Sequence, residues 1–518
     1  MSTNGKAARI AVVGAIIAAG SGVLTGGAAQ ASTDGSVVST DKGRVRGTVA
    51  KDHRVFQGIP YAAPPVGALR WRAPQAAAPW TTTLDATKPG KACPQPEGTP
   101  MSTPSTSEDC LRLNVTTPAN PTGGKLPVMV WIHGGDFAFD SAINYGARAL
   151  AARGGVVVVS IDYRLSAFGF LAHRSLPDAG NLGIEDQQAA LRWVRTNIGA
   201  FGGDSRNVTL FGESAGGHSI CGHLISPGSG GLFHRAIMQS SPCENAEHRT
   251  RESAEKYGAE LASKLGCGDA ACLRRQKVAD LLKAAGTVPG NPGFGRLGPL
   301  FGDRVLPLHP KEALASGRFN RVPVLFGTTR DEERLRVWGI ELGGKKPLTR
   351  RAYRAHIKEA YGKNAPAVLA RYRGYDSPSL ALGAVLTDHE WSRAAVDTGR
   401  AFGKWVPTYS YEFAENTVPW FKNLKRPSFP MGAFHTGELA YLLEPAFSES
   451  LDPAQRRLSH RMIGYWTSFA RTGDPNSGGA PAWKPWPSVQ ALASGPHGIK
   501  PTDFAKAHKY EFWKRLSH

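Results

Sequence analysis

Long apolar runs are scarce in this 518-residue chain, and beyond residue 31 no segment stays apolar for the ~20 residues that crossing a bilayer requires. A membrane span is therefore not expected in the body of the chain. Metal-site signatures are missing too: the six cysteines include no Cys-x-x-Cys and no Cys/His cluster, so no metal or other cofactor is expected. No internal repeat is visible. Acidic residues are in deficit, 42 against 62 Lys and Arg, for a net charge of +20. Such a surplus can favour anionic polymers or a cell envelope. The basic residues are scattered, however, denser only around 345–358, and no nucleic-acid-binding signature accompanies them. A solvated basic exterior is the expected reading, with no nucleic-acid partner.

The one long apolar run, 10–19, follows Lys6 and Arg9 and runs into Gly20, Gly22, Gly26 and Gly27. With the small-x-small pattern Ala29-Gln30-Ala31, this reads as a signal peptide over 1–31 rather than an anchor. The mature chain is then expected to start near Ser32, to carry +18 and to be secreted. An even number of cysteines in an exported protein suggests disulfides. Closeness in sequence pairs Cys93 with Cys110 and Cys267 with Cys272, leaving Cys221 for Cys243.

Apolar, β-branched runs recur at 128–132, 156–161, 208–211, 236–239, 322–326 and 408–413. Helical stretches lie between them, notably 183–198, where apolar residues fall close to a helical period. The alternation predicts an α/β fold whose central, mostly parallel sheet carries helices on both faces. Pro/Gly/Ser-rich segments at 94–107, 286–303 and 473–489 read as surface loops, and the simplest layout is one catalytic domain over 32–518 with a helical insertion over roughly 245–400.

The chemistry is concentrated in Gly212-Glu213-Ser214-Ala215-Gly216, which follows the run 208–211. A strand reversing sharply into a helix has no room for Cβ atoms two residues either side of its apex, so glycine at 212 and 216 is a steric demand. Ser214 becomes a candidate nucleophile, with the N–H of Ala215 placed to meet a developing oxyanion. After the run ending at Ile132 comes His133-Gly134-Gly135-Asp136-Phe137, a Gly-rich turn able to turn further N–H groups into the same cleft. His133 is expected to brace that turn.

A serine hydroxyl needs a base, and the base needs an orienting carboxylate. In this fold class they follow the serine in the order acid, then histidine. Asp331, Glu332 and Glu333 stand together just beyond 322–326, and spacing does not choose among them. For the base, His435 lies in a loop of small residues past the last predicted strand, whereas His218, four residues after Ser214, should point away from the reacting face. Glu213, beside the nucleophile, is a candidate supporting carboxylate.

These residues resemble the type B carboxylesterases, the group that includes the cholinesterases. The resemblance runs over nearly the whole mature chain. It rests on Glu108-Asp109-Cys110-Leu111-Arg112-Leu113-Asn114-Val115, Phe56-Gln57-Gly58-Ile59-Pro60-Tyr61-Ala62, Asn181-Leu182-Gly183-Ile184-Glu185-Asp186-Gln187 and Phe201-Gly202-Gly203-Asp204. It implies an α/β-hydrolase fold, selects Glu332 as the triad acid and supports His435. It also supports the pairs Cys93 with Cys110 and Cys267 with Cys272, and makes the N–H groups of Gly135, Asp136 and Ala215 the oxyanion hole.

The chain departs from the family pattern at two places. Asp136 stands where a third glycine is usual, and its carboxylate must be turned away or paired. Glu333 stands where glycine tends to follow the triad acid, and is expected outside the cleft. The expected activity is hydrolysis of small-molecule carboxylic esters of short to medium acyl length. Segment 94–109 is short and holds no Trp, Tyr or Phe, so it offers no ring face for choline and no greasy lid. A lipase, an amide or aryl-polyester hydrolase, and a non-catalytic binding protein on the same scaffold are the alternatives.

Overall fold

The computed structural model describes residues 35–119, 124–247, 249–286, 295–476 and 478–516. The expected signal peptide lies outside the described residues. Eleven strands form one sheet: β1 (Thr48–Val49), β2 (His53–Pro60), β3 (Arg112–Pro118), β4 (Leu126–Ile132), β5 (Val157–Ile161), β6 (Gly203–Glu213), β7 (Arg235–Gln239), β8 (Val324–Thr329), β9 (Thr408–Phe413), β10 (Val489–Leu492) and β11 (Lys500–Thr502). Their spatial order is β11-β10-β9-β8-β7-β6-β4-β5-β3-β2-β1. From β5 through β10 neighbours pair in parallel, and the pairs at both edges are antiparallel.

All six predicted runs are strands of the parallel part. β8 begins at Val324 rather than at 322, since Pro323 has no N–H to give a ladder. β2 and β3 were not predicted, because their mixed polar and apolar sequences lack the continuous apolar signature of a strand buried on both faces.

Period-two alternation sends Val128, Val130 and Ile132 of β4 into the core shared with helix α1 (Leu182–Asn197). Met129 and Trp131 enter the opposite core, under the Pro453–Thr472 helix. The helix predicted over 183–198 is α1. The helical stretch expected over 245–400 is parted by β8 into Arg251–Lys264, Val278–Ala285 and Pro310–Ser316 before it and a second group, Arg334–Gly344 to Arg393–Phe402, after it. The second group has its own small core of Val337, Tyr353, Ile357, Val368 and Val385, closed by Trp513.

Disulfides join Cys93 to Cys110, Cys221 to Cys243 and Cys267 to Cys272, the three expected pairs. Among the described residues no helix is long and apolar enough to cross a membrane. Lys345, Lys346, Arg350, Arg351, Arg354 and Lys358 are all exposed.

Topology fixes where a site can lie. From β4 the chain steps to β5 on one side, then returns across β4 to place β6 on the other. The carboxyl ends of β4 and β6 therefore flank a switch point, where an open α/β sheet leaves a crevice.

Candidate active site

Register pairs Gly212 with Ile132 and Glu213 with Gln239, so the loops after β4, β6 and β7 leave the sheet side by side. Ser214 takes φ 54° and ψ −125° between β6 and helix α2 (Ala215–Ile225). A non-glycine residue in that region is strained. The turn is held from outside: Ser214 N–H donates to Gln239 O at 3.0 Å, and Ser241 Oγ donates to Ser214 O at 2.6 Å. A Cβ on Gly212 would stand 2.7 Å from Ile132 O, and one on Gly216 only 2.0 Å from the same oxygen. Both glycines are required sterically, because the obstructing atom is backbone and cannot swing away.

The loop after β4 is equally constrained. Gly135 has φ 87°, and a Cβ there would lie 2.2 Å from Phe139 O. Its carbonyl accepts from the N–H groups of Ala138 and Phe139. Beneath, His133 is fully buried, donates from Nδ1 to Gly134 O at 3.1 Å and stacks on Tyr163, whose hydroxyl donates to His133 O at 2.9 Å. Among the described residues no backbone carbonyl takes the N–H of Gly135, Asp136 or Ala215. Ala215 is the first residue of α2, where the helix itself supplies no acceptor. The Oδ2 of Asp136 has no hydrogen-bond partner, while a backbone hydrogen bond from Gly295 favours the ionised carboxyl. Burial pushes its carboxyl up to about 7, with Arg249 pulling it down, and the neutral fraction does not repel a forming oxyanion.

Three consecutive acids beyond β8 do three different jobs. Asp331 ties down the histidine loop, taking the N–H of Ala433 on Oδ2 at 3.0 Å and donating its own N–H to Ala433 O at 2.9 Å. Glu332, 1% exposed, accepts from Thr329 N–H at 2.7 Å and from His435 Nδ1 at 2.6 Å. Glu333 is also buried, at 3%, and takes the indole N–H of Trp391, whose ring lies 5.0 Å from the His435 ring. Glu333 thus reaches the histidine only by way of Trp391, and its Oε2 lies 2.7 Å from Arg336 Nε.

With Nδ1 fixed on Glu332, His435 Nε2 faces Glu213 Oε1 at 3.2 Å. The structure brings His435, Glu332 and the residue beside Ser214 together. It does not form a hydrogen bond between Ser214 Oγ and His435, a contact that often tightens only when substrate binds. His218 turns instead to Asn245, Nε2 to Oδ1 at 3.1 Å.

Burial raises the Glu213 carboxyl well above its ordinary value; His435 opposes this, and Glu438 and Glu332 add to it. For His435, burial works against protonation but Glu213 and Glu332 outweigh it, pushing the imidazole up to about 10. Each group's charge sets the other's, so the two titrate together rather than independently.

Sequence reasoning missed Trp391, Asp331 as a loop anchor, and Gln239, which links Glu438 at 3.2 Å and the Trp466 indole at 3.1 Å behind the cleft. None carries a local signal, since each acts on a partner remote in sequence.

The carboxylesterase family model matches residues 34–513. The chain is 36% identical over 461 residues to the para-nitrobenzyl esterase of Bacillus subtilis (strain 168), covering 85% of this chain and 91% of that enzyme. It is 32% identical to liver carboxylesterase 1F of Rattus norvegicus, covering 93% of each. Among solved structures, a thermophilic PNB esterase superposes with a TM-score of 0.78 at 34% identity, covering 92% of this chain and all of that one. With this sheet, this switch point and these relatives, the chain belongs to the carboxylesterase family, has the α/β-hydrolase fold and is a carboxylic ester hydrolase.

Proposed function

We propose that Ser214, His435 and Glu332 form the catalytic triad of a secreted esterase acting on short to medium acyl esters. The observation that carries this reading is the 2.6 Å contact of His435 Nδ1 with the buried Glu332, which turns Nε2 toward the Glu213–Ser214 end of the cleft. In its neutral form the imidazole is the base. It takes the Ser214 proton as Oγ attacks the acyl carbon and returns it to the departing alcohol; water then repeats the sequence on the acyl-enzyme. The N–H groups of Gly135, Asp136 and Ala215 receive the oxyanion, each lowering the barrier by ~3 to 4 kcal/mol. Glu213, facing Nε2 at 3.2 Å, favours protonation of the base and so biases its charge.

Three disulfides fit an oxidising destination, which agrees with export. The preference for compact neutral esters rests on segment 94–109, which is free of aromatic residues and anchored by Gln95 to the backbone of Asp140.

A fluorophosphonate probe followed by peptide mapping tests the nucleophile: an adduct on Ser214 is expected, and a native protein that takes none would reject the triad. A panel of p-nitrophenyl esters beside choline esters and a triglyceride emulsion tests the substrate. Turnover should be highest on acyl chains of two to about eight carbons, the compact range a short polar loop leaves open. A clear advantage for emulsion or for choline would reject that preference.

A further inference from the structure

Glu333 interrupts the family pattern immediately after the triad acid, and its surroundings are built rather than incidental. Its N–H donates to Thr387 Oγ1 at 3.0 Å. Its Oε1 accepts the Trp391 indole N–H at 2.5 Å. Its Oε2 meets Arg336 Nε at 2.7 Å, and the two terminal nitrogens of Arg336 reach both oxygens of Glu390 at 3.1 and 2.8 Å. Main chain and side chain of Glu333 are thus both fastened to one turn, Thr387–Ser392, which carries Trp391 and Glu390. Glu333 is 3% exposed, and burial outweighs these partners, pushing its carboxyl up to about 7.

That turn touches the reacting group. The Trp391 ring lies 5.0 Å from the His435 imidazole with 48° between their planes. The imidazole is hydrogen-bonded at Nδ1 to Glu332 and faces Glu213 from Nε2, and neither contact stops it tilting about the axis that joins them. The tilted Trp391 ring beside it limits that motion, and the ring is itself held by its N–H on Glu333.

We propose that Glu333 and Trp391 act as a positioning pair for His435, the carboxylate orienting the indole and the indole keeping the imidazole turned between Glu332 and Ser214. This rests on the triad reading given above. Neither residue touches the reacting atoms; both act through His435.

The test uses the full-length protein with Trp391→Phe (ring kept, donor lost), Glu333→Leu (acceptor lost), Glu333→Gln (acceptor kept, charge lost) and the Trp391→Phe/Glu333→Leu double. kcat and KM on p-nitrophenyl acetate are measured for each, after thermal unfolding has shown it folded. Each acceptor or donor deletion should lower kcat about tenfold with KM within about twofold, the mark of an interaction needed for the chemical step. The double should fall no further than the weaker single, and Glu333→Gln should lose only about twofold, since it can still take the indole proton. The proposal is overturned by losses that multiply in the double, by a raised KM at unchanged kcat, or by a Gln variant as slow as Leu. If Glu333→Leu fails to fold, Trp391→Phe and Glu333→Gln decide by the same split. Phosphonate labelling of wild-type Ser214 separates the two failures: a labelled serine with unaffected Trp391→Phe sinks the pair alone, and an unlabelled one sinks the triad and the pair with it.

Discussion

Ser214 and His435 are held in place in opposite ways. On the serine side five consecutive residues make the turn, and Gln239 and Ser241 of the neighbouring strand and loop hold it. The strand ends, the chain reverses at φ 54°, and two glycines make room under the carbonyl of Ile132. On the histidine side nothing local suffices. His435 takes its orientation from Glu332, more than a hundred positions earlier, its loop from Asp331 and its neighbouring ring from Trp391. One side stores strain in backbone that has no alternative; the other distributes its constraint over side chains, each of which is replaceable in part. The first should fail abruptly when touched and the second by degrees.

The largest effect belongs to Ser214→Ala, which deletes the proposed nucleophile while leaving both frameworks standing. Ester turnover should drop by about 10⁵-fold with unfolding unchanged; more than a trace of residual activity would reject the assignment. Next, Glu332→Gln keeps the shape of the histidine side but withdraws its charge and disturbs the imidazole tautomer. A loss of about a thousandfold in kcat is expected, and a loss below tenfold would show that the histidine is oriented mainly by other contacts.

Gly216→Ala strikes the serine side. Its new Cβ would lie 2.0 Å from Ile132 O and 2.8 Å from His133 O. A cost of about 3 to 5 kcal/mol in stability is expected from overpacking against backbone, read from urea unfolding. A variant as stable as the parent would mean that the turn is softer than its geometry implies.

The smallest effect tests the histidine side from behind. His508 bridges Asp388, on the turn that carries Trp391, at 2.5 Å and Glu412 of β9 at 2.7 Å. Burial works against its protonation, but the two carboxylates outweigh burial and push it up to about 9 from 6.5. A group raised in the folded state stabilises fully below its unfolded value and loses that contribution as pH climbs through the folded one. His508→Gln should therefore cost up to about 3 kcal/mol at pH 6 and little at pH 10. Equal losses at the two pH values would dismiss the charged bridge.

The same contrast explains what could be read in advance. Ser214, Gly212, Gly216 and the Gly-rich turn after β4 were legible because sterics and hydrogen bonding act over a few residues, so the motif and its geometry are nearly one thing. Six of the seven strands of the parallel part were legible because burial on both faces demands unbroken apolar runs. Choosing Glu332 from three adjacent acids was beyond spacing and came only from family resemblance, since the three side chains diverge around one sheet edge. The partners of Glu333, Trp391 and Arg336, were not legible for the same reason: their positions are not written in the local sequence.

The amino-acid order alone settled the parallel heart of the sheet and the elbow, because each follows from short-range sterics and from apolar runs. Only the folded arrangement decided the edge strands and the crevice, which acid grips His435, how His435 and Glu213 bias each other's charge, and which ring lies beside the imidazole. Those outcomes depend on distances and burial among segments far apart in the chain, and a carboxyl's charge is set by what surrounds it after folding rather than by its place in the sequence.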